Sequence, residues 1–324
     1  MPRTIRYRLK SRRAFYKARN TRRVRSRRAT YTRRRSTRGR FRTGSRRRLI
    51  NTMSTKKRDT VTFAATTGAN PSPGGNAQAN QPLQILGRTK NTNYGSTHAI
   101  LYSPTKRWLT SNGAQLTAQR TATRCYVKGV KEVISLVPND PSTWWWRRVV
   151  FAFKGQIGPA TPFNKVTAAQ VNPNDVTYRW LYDLTGDTVA SATDYNKILD
   201  ALYGVIFKGT FGTDWTLPNN ARLDPTRIQV LSDKRVTLSS GNDEPRPRVF
   251  PRWHPINKTV VYDDDENATT ISPSNLSTAT KQGLGDVYIL DLITCPTPVQ
   301  PDPTNANATG MYVSMENTTY WHEK

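Results

Sequence analysis

The first 58 residues contain 25 Lys and Arg side chains and not one Asp or Glu. Repulsion at this density cannot be relieved within the segment, so no packed domain can form there without a polyanion to neutralise it. The whole chain of 324 residues has 50 basic and 22 acidic side chains, a net charge of +28. Subtracting the first 58 residues leaves 25 basic against 22 acidic, a net of only +3 over the other 266. The sequence therefore divides into a disordered cationic arm, residues 1–58, and a nearly neutral folded body, residues 59–324.

The arm carries its charge in clusters: Arg12-Arg13, Arg22-Arg23, Arg27-Arg28, Arg33-Arg34-Arg35, Arg46-Arg47-Arg48 and Lys56-Lys57-Arg58. Arg outnumbers Lys heavily, and a guanidinium fork holds phosphate through two parallel hydrogen bonds where an ammonium acts as a point charge. Nucleic acid is thus a better partner for this arm than a generic acidic surface. Tyr7, Phe15, Tyr16, Tyr31 and Phe41 lie among the charges. Base stacking on such rings requires unpaired bases, so they favour a single strand, although aromatics in a tail can equally anchor it under the body. Short basic clusters also serve as nuclear-import signals, and an import receptor is a second expected partner.

Other classes fall away. No run of about 18 apolar residues occurs, so no membrane-spanning helix is expected, and the basic start lacks the apolar core of a signal peptide. The expected setting is soluble and non-secreted. Cys125 and Cys295 are the only cysteines, too few for a disulfide framework, and are read as buried small hydrophobes.

From Asp59 onward the pattern is of short strands between polar loops rich in Pro and Gly. Ten strands are predicted: Thr60 to Ala64, His98 to Tyr102, Cys125 to Leu136, Arg147 to Phe153, Val176 to Tyr182, Val205 to Lys208, Arg227 to Leu238, Lys258 to Tyr262, Val287 to Ile293 and Met311 to Met315. One helix is predicted from Asp194, as N-cap, to Leu202, with Tyr195, Ile198, Leu199 and Leu202 at helical spacing. Neither βαβ alternation nor an internal repeat is visible. An all-β chain of this kind, with long loops and a basic N-terminus, suggests a single jelly-roll sandwich of about eight strands.

Particular residues carry a resemblance. The run Cys125 to Glu132, CYVKGVKE, followed by Trp144 to Gly155, WWWRRVVFAFKG, resembles the capsid proteins of genomoviruses, in which a Lys-Gly strand precedes a Trp- and Arg-rich strand entry. Arg227 to Arg235 and Asn257 to Tyr262 are similar to the same family, and more distantly to geminivirus coat proteins. The similarity covers the arm and most of the body in order; Gly68 to Thr97 and Asp263 to Glu266 have no counterpart in it. It implies a jelly-roll capsid protein that assembles with copies of itself into an icosahedral shell around circular single-stranded DNA, in the virion and, during assembly, the host nucleus. If the shell held about 60 copies, 25 arm charges each would neutralise on the order of 1,500 phosphates, the scale of a strand of roughly two kilobases. The rival reading is a cellular nuclear or ribosomal RNA-binding protein, which should add a further basic face on its body.

No catalytic chemistry is legible, and neither a cofactor nor a metal is expected. The three histidines, His98, His254 and His322, are not paired at metal-ligand spacing, and no phosphate-cradling G-x-x-x-x-G-K-[ST] loop occurs, so the chain is not a replication initiator. His254, beside Pro255, is read as a turn residue or an intersubunit hydrogen-bond partner. Asp263-Asp264-Asp265-Glu266 is read as a solvated loop, lacking the spacing of a calcium loop. Asn267-Ala268-Thr269 and Asn307-Ala308-Thr309 fit the glycosylation pattern but need a secretory route. Successive strand side chains alternate faces, so Trp144, Trp145 and Trp146 cannot all enter one core; they are read as core and loop packing, with a subunit interface and then base stacking as the alternatives. The same alternation places Arg147 and Arg148 on opposite faces, one towards the genome. Deleting residues 1–58 is expected to leave the body folded and to abolish salt-sensitive binding of single-stranded DNA; an unchanged affinity and salt slope would contradict the arm's role.

Overall fold

The structure is a computed structural model that describes residues 51–65, 78–87, 93–109, 118–155, 157, 170–171, 177–185, 192–297 and 309–323. Its strands are β1 (Thr55–Val61), β2 (Phe63–Ala65), β3 (Gln78–Ala79), β4 (Leu83–Leu86), β5 (Thr97–Tyr102), β6 (Arg124–Pro138), β7 (Trp144–Phe153), β8 (Gln170–Val171), β9 (Thr177–Leu181), β10 (Gln229–Leu238), β11 (Arg248–Val261), β12 (Asp265–Asn267), β13 (Thr270–Ser272), β14 (Asp286–Thr294) and β15 (Gly310–Glu323). The helix α1 (Ala192–Ile206) lies between β9 and β10 in the chain.

Two antiparallel sheets make the sandwich. One runs β1-β15-β6-β11 and the other β10-β7-β14-β5. Numbering the eight long strands in chain order, the first sheet reads first, eighth, third, sixth and the second fifth, fourth, seventh, second. That is the strand order of a jelly roll, in which consecutive strands cross between the two sheets except at the fourth and fifth, which pair as neighbours. β4 pairs with the start of β15 while β1 pairs with its end, so both share the same edge of that strand.

The two sheets differ in what covers them. The outer side of β10-β7-β14-β5 is packed against α1 and the segment after it. Val149 and Phe151 of β7 and Tyr288, Leu290 and Leu292 of β14 meet Ile198, Leu199, Leu202 and Tyr203 of α1. Its inner side contributes Trp144, Trp146, Val150, Ala152, Ile289 and Ile293 to the core between the sheets. Every residue of β14 is therefore buried, which is why it reads as a nearly continuous apolar run. The outer side of β1-β15-β6-β11 has no such cover among the described residues, and β6 alternates strictly between buried and open positions over much of its length.

Several expectations change. The predicted strand at Val205 to Lys208 is the last turn of α1 and the bridge after it. The helix begins two residues before Asp194, so that residue lies in the first turn and not at the cap. β11 and β15 extend far beyond the predicted Lys258 to Tyr262 and Met311 to Met315. β11 contains Pro251 and Pro255, which a strand tolerates at a sheet edge where alternate N–H groups point away from the partner. Trp144 and Trp146 are buried at 0% and 2% exposure in the inter-sheet core and so are not subunit-interface residues, while Trp145, on the other face of β7, is half-buried. Cys125 and Cys295 are buried free thiols, as expected.

Arg147 and Arg148 point to opposite sides of β7, but neither reaches solvent. Arg147 holds Asp233 through Nε and Nη2 at 3.0 and 2.9 Å and donates Nη1 to the carbonyls of Pro218 and Ala221. Arg148 points between the sheets, where its Nη2 donates to Glu132 Oε2 at 2.5 Å. Glu132, fully buried on β6, also accepts from Arg179 Nη1 and from His254 Nε2, the latter at 2.8 Å. His254 is thus a strand residue and not a turn residue, bonded within its own chain. Asp291 of β14 accepts from Trp146 Nε1 at 2.8 Å and lies 3.7 and 3.8 Å from Arg148 and Arg179. Two carboxylates and two guanidiniums thereby tie both sheets and β9 together.

Burial alone would raise the Glu132 carboxyl, but Arg148 and Arg179 and the His254 hydrogen bond outweigh it and hold that carboxyl well below the usual carboxylate range. A carboxyl lowered in the folded state stabilises the fold above its unfolded value, about 4.3, and that stability is lost as the pH falls towards the folded value. Glu132→Gln leaves two buried guanidiniums facing the single carboxylate of Asp291 and should cost about 3–5 kcal/mol, read from the denaturant midpoint. The variant should also lose part of the stability decline that the parent shows between about pH 4.5 and pH 2. A loss under about 1 kcal/mol with an unchanged acid limb would show that Glu132 does not organise the core.

Candidate nucleic-acid interface

The arm residues Arg12, Arg13, Arg22, Arg23, Arg27, Arg28, Arg33, Arg34, Arg35, Arg46, Arg47 and Arg48, with Tyr7, Phe15, Tyr16, Tyr31 and Phe41, lie outside the described residues. The last cluster does not. Lys56, Lys57 and Arg58 belong to β1, so the folded body begins before Asp59 and the acid-free stretch that precedes the sheet is residues 1–50, with 22 basic side chains. Lys57 is buried: its Nζ lies 2.8 Å from Glu323 Oε2 and donates to Gln119 O and Thr121 Oγ1 at 2.9 and 2.7 Å. It is a structural cation and not a phosphate ligand. Lys56 and Arg58 alternate with it and point out of the sheet.

They open a basic face across the uncovered side of β1-β15-β6-β11. The register aligns Lys56 with His322 and Tyr126, Arg58 with Tyr320 and Gly129, and Thr60 with Thr318, Lys131 and Trp253. Paired residues share a sheet face, so Lys56, Arg58 and Lys131 stand on one surface, with Lys128 exposed at the bulge beside them. Glu316, in the next row, is the acidic side chain of that surface. The expectation of a neutral body held for its net charge but not for its distribution. Burial pushes the His322 imidazole down, and the charges of Lys56 and Lys128 lower it further.

Aromatic rings are set into the same surface. Trp253 is 46% exposed and meets Tyr320 edge-on, with ring centroids 5.8 Å apart. Tyr126 and His322 form a second pair at 5.9 Å. Trp253 lies against Gly129, where an added Cβ would stand 2.6 Å from its ring, so only glycine lets the indole lie down on β6. Cations within reach of flat, open rings are the elements by which proteins hold a single strand irrespective of sequence: phosphates by charge, bases by stacking. The linear pattern hid this face because its members come from four strands far apart in the chain.

The other flagged residues have structural roles. His98 Nδ1 is 2.7 Å from Asp183 Oδ2 and its Nε2 is 2.8 Å from Leu86 O, in a buried setting. Of the acidic run, Asp264 is not solvated: it receives both Nη1 and Nη2 of buried Arg120, at 2.6 and 2.8 Å. Asp265, Glu266 and Asn267 form β12 of an exposed hairpin, and Asn307 lies outside the described residues. Among the described residues no group of three or more His, Cys, Asp or Glu side chains is placed to hold a metal ion, and no helix is long and apolar enough to cross a membrane.

No family model matches the chain, and no curated protein matches it. Among solved structures it is similar to VP1 of Trichodysplasia spinulosa-associated polyomavirus, with 9% identity over 83% of this chain and 92% of that one and a TM-score of 0.14. The same VP1 in complex with 3'-sialyllactose gives 11% identity and a TM-score of 0.13. Likeness at that level carries no argument. The class assigned to the chain, an eight-stranded jelly roll, rests on its own strand order.

The basic face gives a direct expectation. Replacing Arg58 and Lys131 together by Gln in the full chain should leave stability within about 0.5 kcal/mol, since both are open to solvent. It should lower the salt slope of oligothymidine binding by about 1.4, or 0.7 per lost phosphate contact. An unchanged slope would remove this face from the interface.

Proposed function

We propose that the chain is a viral capsid protein that assembles with copies of itself into an icosahedral shell and packages circular single-stranded DNA, in the manner of the genomovirus proteins its sequence resembles. The observation that carries this reading is the join at Asn51. An acid-free stretch with 22 basic side chains runs in sequence directly into the edge strand of a jelly-roll sheet whose open face is itself basic and set with aromatic rings. Arm and face supply the same two elements, cations and rings, so one polyanionic strand satisfies both.

The mechanism is physical and uses no catalytic group. Arms neutralise phosphates by releasing counter-ions, and loss of arm repulsion then lets the bodies meet. The sheet covered by α1 and the loops at the ends of the sandwich are left for subunit contacts, while the uncovered basic face turns to the genome. With residues 1–50 as the arm, about 60 copies would bring on the order of 1,300 charges, and the basic face adds more. Nuclear import through the same clusters fits assembly where the DNA is replicated, and nucleus and virion are the proposed locations.

A cellular RNA-binding protein would also show a basic face, so the test between the readings is closure. Purified protein mixed with circular single-stranded DNA at low salt should give closed particles of uniform diameter by electron microscopy. A truncation beginning at Asn51, which spares β1, should stay folded and either fail to package or form empty particles. Soluble monomers of the full chain under every salt and pH condition, with DNA present, would overturn the capsid reading.

A further inference from the structure

At one end of the sandwich both sheets finish on an unpaired strand, β10 in one and β11 in the other. Between these edges the sheets enclose a slot of about 150 Å³, lined among others by Trp146, Arg148, Val150, Lys234, Arg252 and His254. We infer that this slot is a phosphate-binding site distinct from the arm, adjoining the open basic face at Trp253, which lines both.

Its charges point to an anion. Glu132 and Asp291 reach the slot from behind and are balanced by Arg148 and Arg179. Lys234 and Arg252 are then surplus. The register sets Lys234 opposite Arg148 and Arg252 opposite Glu132, so both side chains share the faces that bound the slot. Neither has an ion-pair partner among the described residues; the Arg252 guanidinium only lies over the Phe250 ring, 5.4 Å from its centroid.

The deepest donor is unsatisfied. Arg148 is 4% exposed, and only its Nη2 is hydrogen-bonded. Its Nε and Nη1 are buried without a hydrogen-bond partner. An unfilled donor on a buried guanidinium is costly, so a native occupant or water is expected there. Water would satisfy the hydrogen bonds, whereas an anion also meets the charges of Lys234, exposed at the mouth, and of half-buried Arg252. A carboxylate offers two oxygens, whereas a phosphate offers three or four, enough for the free Arg148 donors, Lys234 and Arg252 together. The volume admits a phosphate with its oxygens, about five waters' worth of space, and leaves any attached nucleoside at the mouth. The phosphate could belong to a nucleic-acid strand or be free in solution, and these sources can be told apart.

Site-resolved chemical footprinting on the full chain tests this without interference from the arm. Lys234 is labelled with an amine-reactive ester in unassembled protein, with exposed Lys281 as internal control, and read by mass spectrometry. Inorganic phosphate should protect Lys234 saturably and leave Lys281 unchanged, and Arg252→Gln should raise the half-protecting concentration about tenfold. Protection by oligothymidine at far lower concentration assigns the site to a strand phosphate; protection by inorganic phosphate and thymidine 5'-monophosphate alone assigns it to a free one. No selective protection by any of the three, or an unchanged midpoint in the Arg252→Gln variant, would overturn the site. Closed particles formed by a protein that fails this test would leave the shell reading standing and remove only the slot.

Discussion

The sandwich depends on a buried electrostatic joint. Glu132 reaches from one sheet, Arg148 and Asp291 from the other, and Arg179 enters from β9. Charges so deep cost several kcal/mol each to bury, and they are tolerated here because nearly every one faces an opposite charge across the gap. Apolar residues of the same volume could hold two sheets together, but they would allow a strand to slide by two residues. A carboxylate that must meet two guanidiniums and a histidine does not, and so fixes the register on which every surface row depends.

Register in turn decides what the protein shows to its surroundings. One sheet is covered on both sides over its central strands β7 and β14, by the core and by α1, while its edge strand β10 stays largely open. The other presents Lys56, Arg58, Lys128 and Lys131 to solvent beside Trp253 and Tyr320. With the acid-free segment before Asn51, the uncovered sheet face concentrates exposed cations, and the proposed function rests on that asymmetry. A whole-chain charge of +28 does not describe it. Few acids of the body dilute the cationic side: Glu316 lies on it, whereas Glu132, Asp264, Asp286, Asp291 and Glu323 are held in buried pairs and hydrogen bonds.

Much of the fold was legible in the sequence, and the reason is periodicity. β5, β6, β7 and β14 alternate or run apolar, and α1 kept its apolar spacing at Ile198, Leu199 and Leu202. β11 and β15 were cut short because Pro251, Pro255 and the polar run through Thr318 and Thr319 look like loop until an edge position or a sheet partner explains them. The site was less legible. The arm is contiguous and announces itself, but the basic face joins residues from β1, β6, β11 and β15, and pairing register is not written in any one segment. The triple tryptophan was a true signal whose meaning was core packing: Trp144 and Trp146 fill the space between the sheets. Alternation along the strand suggested that one of Arg147 and Arg148 faces a genome, whereas both are buried in ion pairs within the chain.

The central claim is that the uncovered sheet face and the arm serve one polyanion while the rest of the surface builds a shell. A reconstruction of particles assembled on single-stranded DNA tests it most directly. The account predicts that β1, β15, β6 and β11 line the lumen, with nucleic-acid density against Lys131 and Trp253 and the Asn51 end of β1 opening inward. Particles in which that face points to the exterior, or in which nucleic-acid density avoids it, would contradict the account.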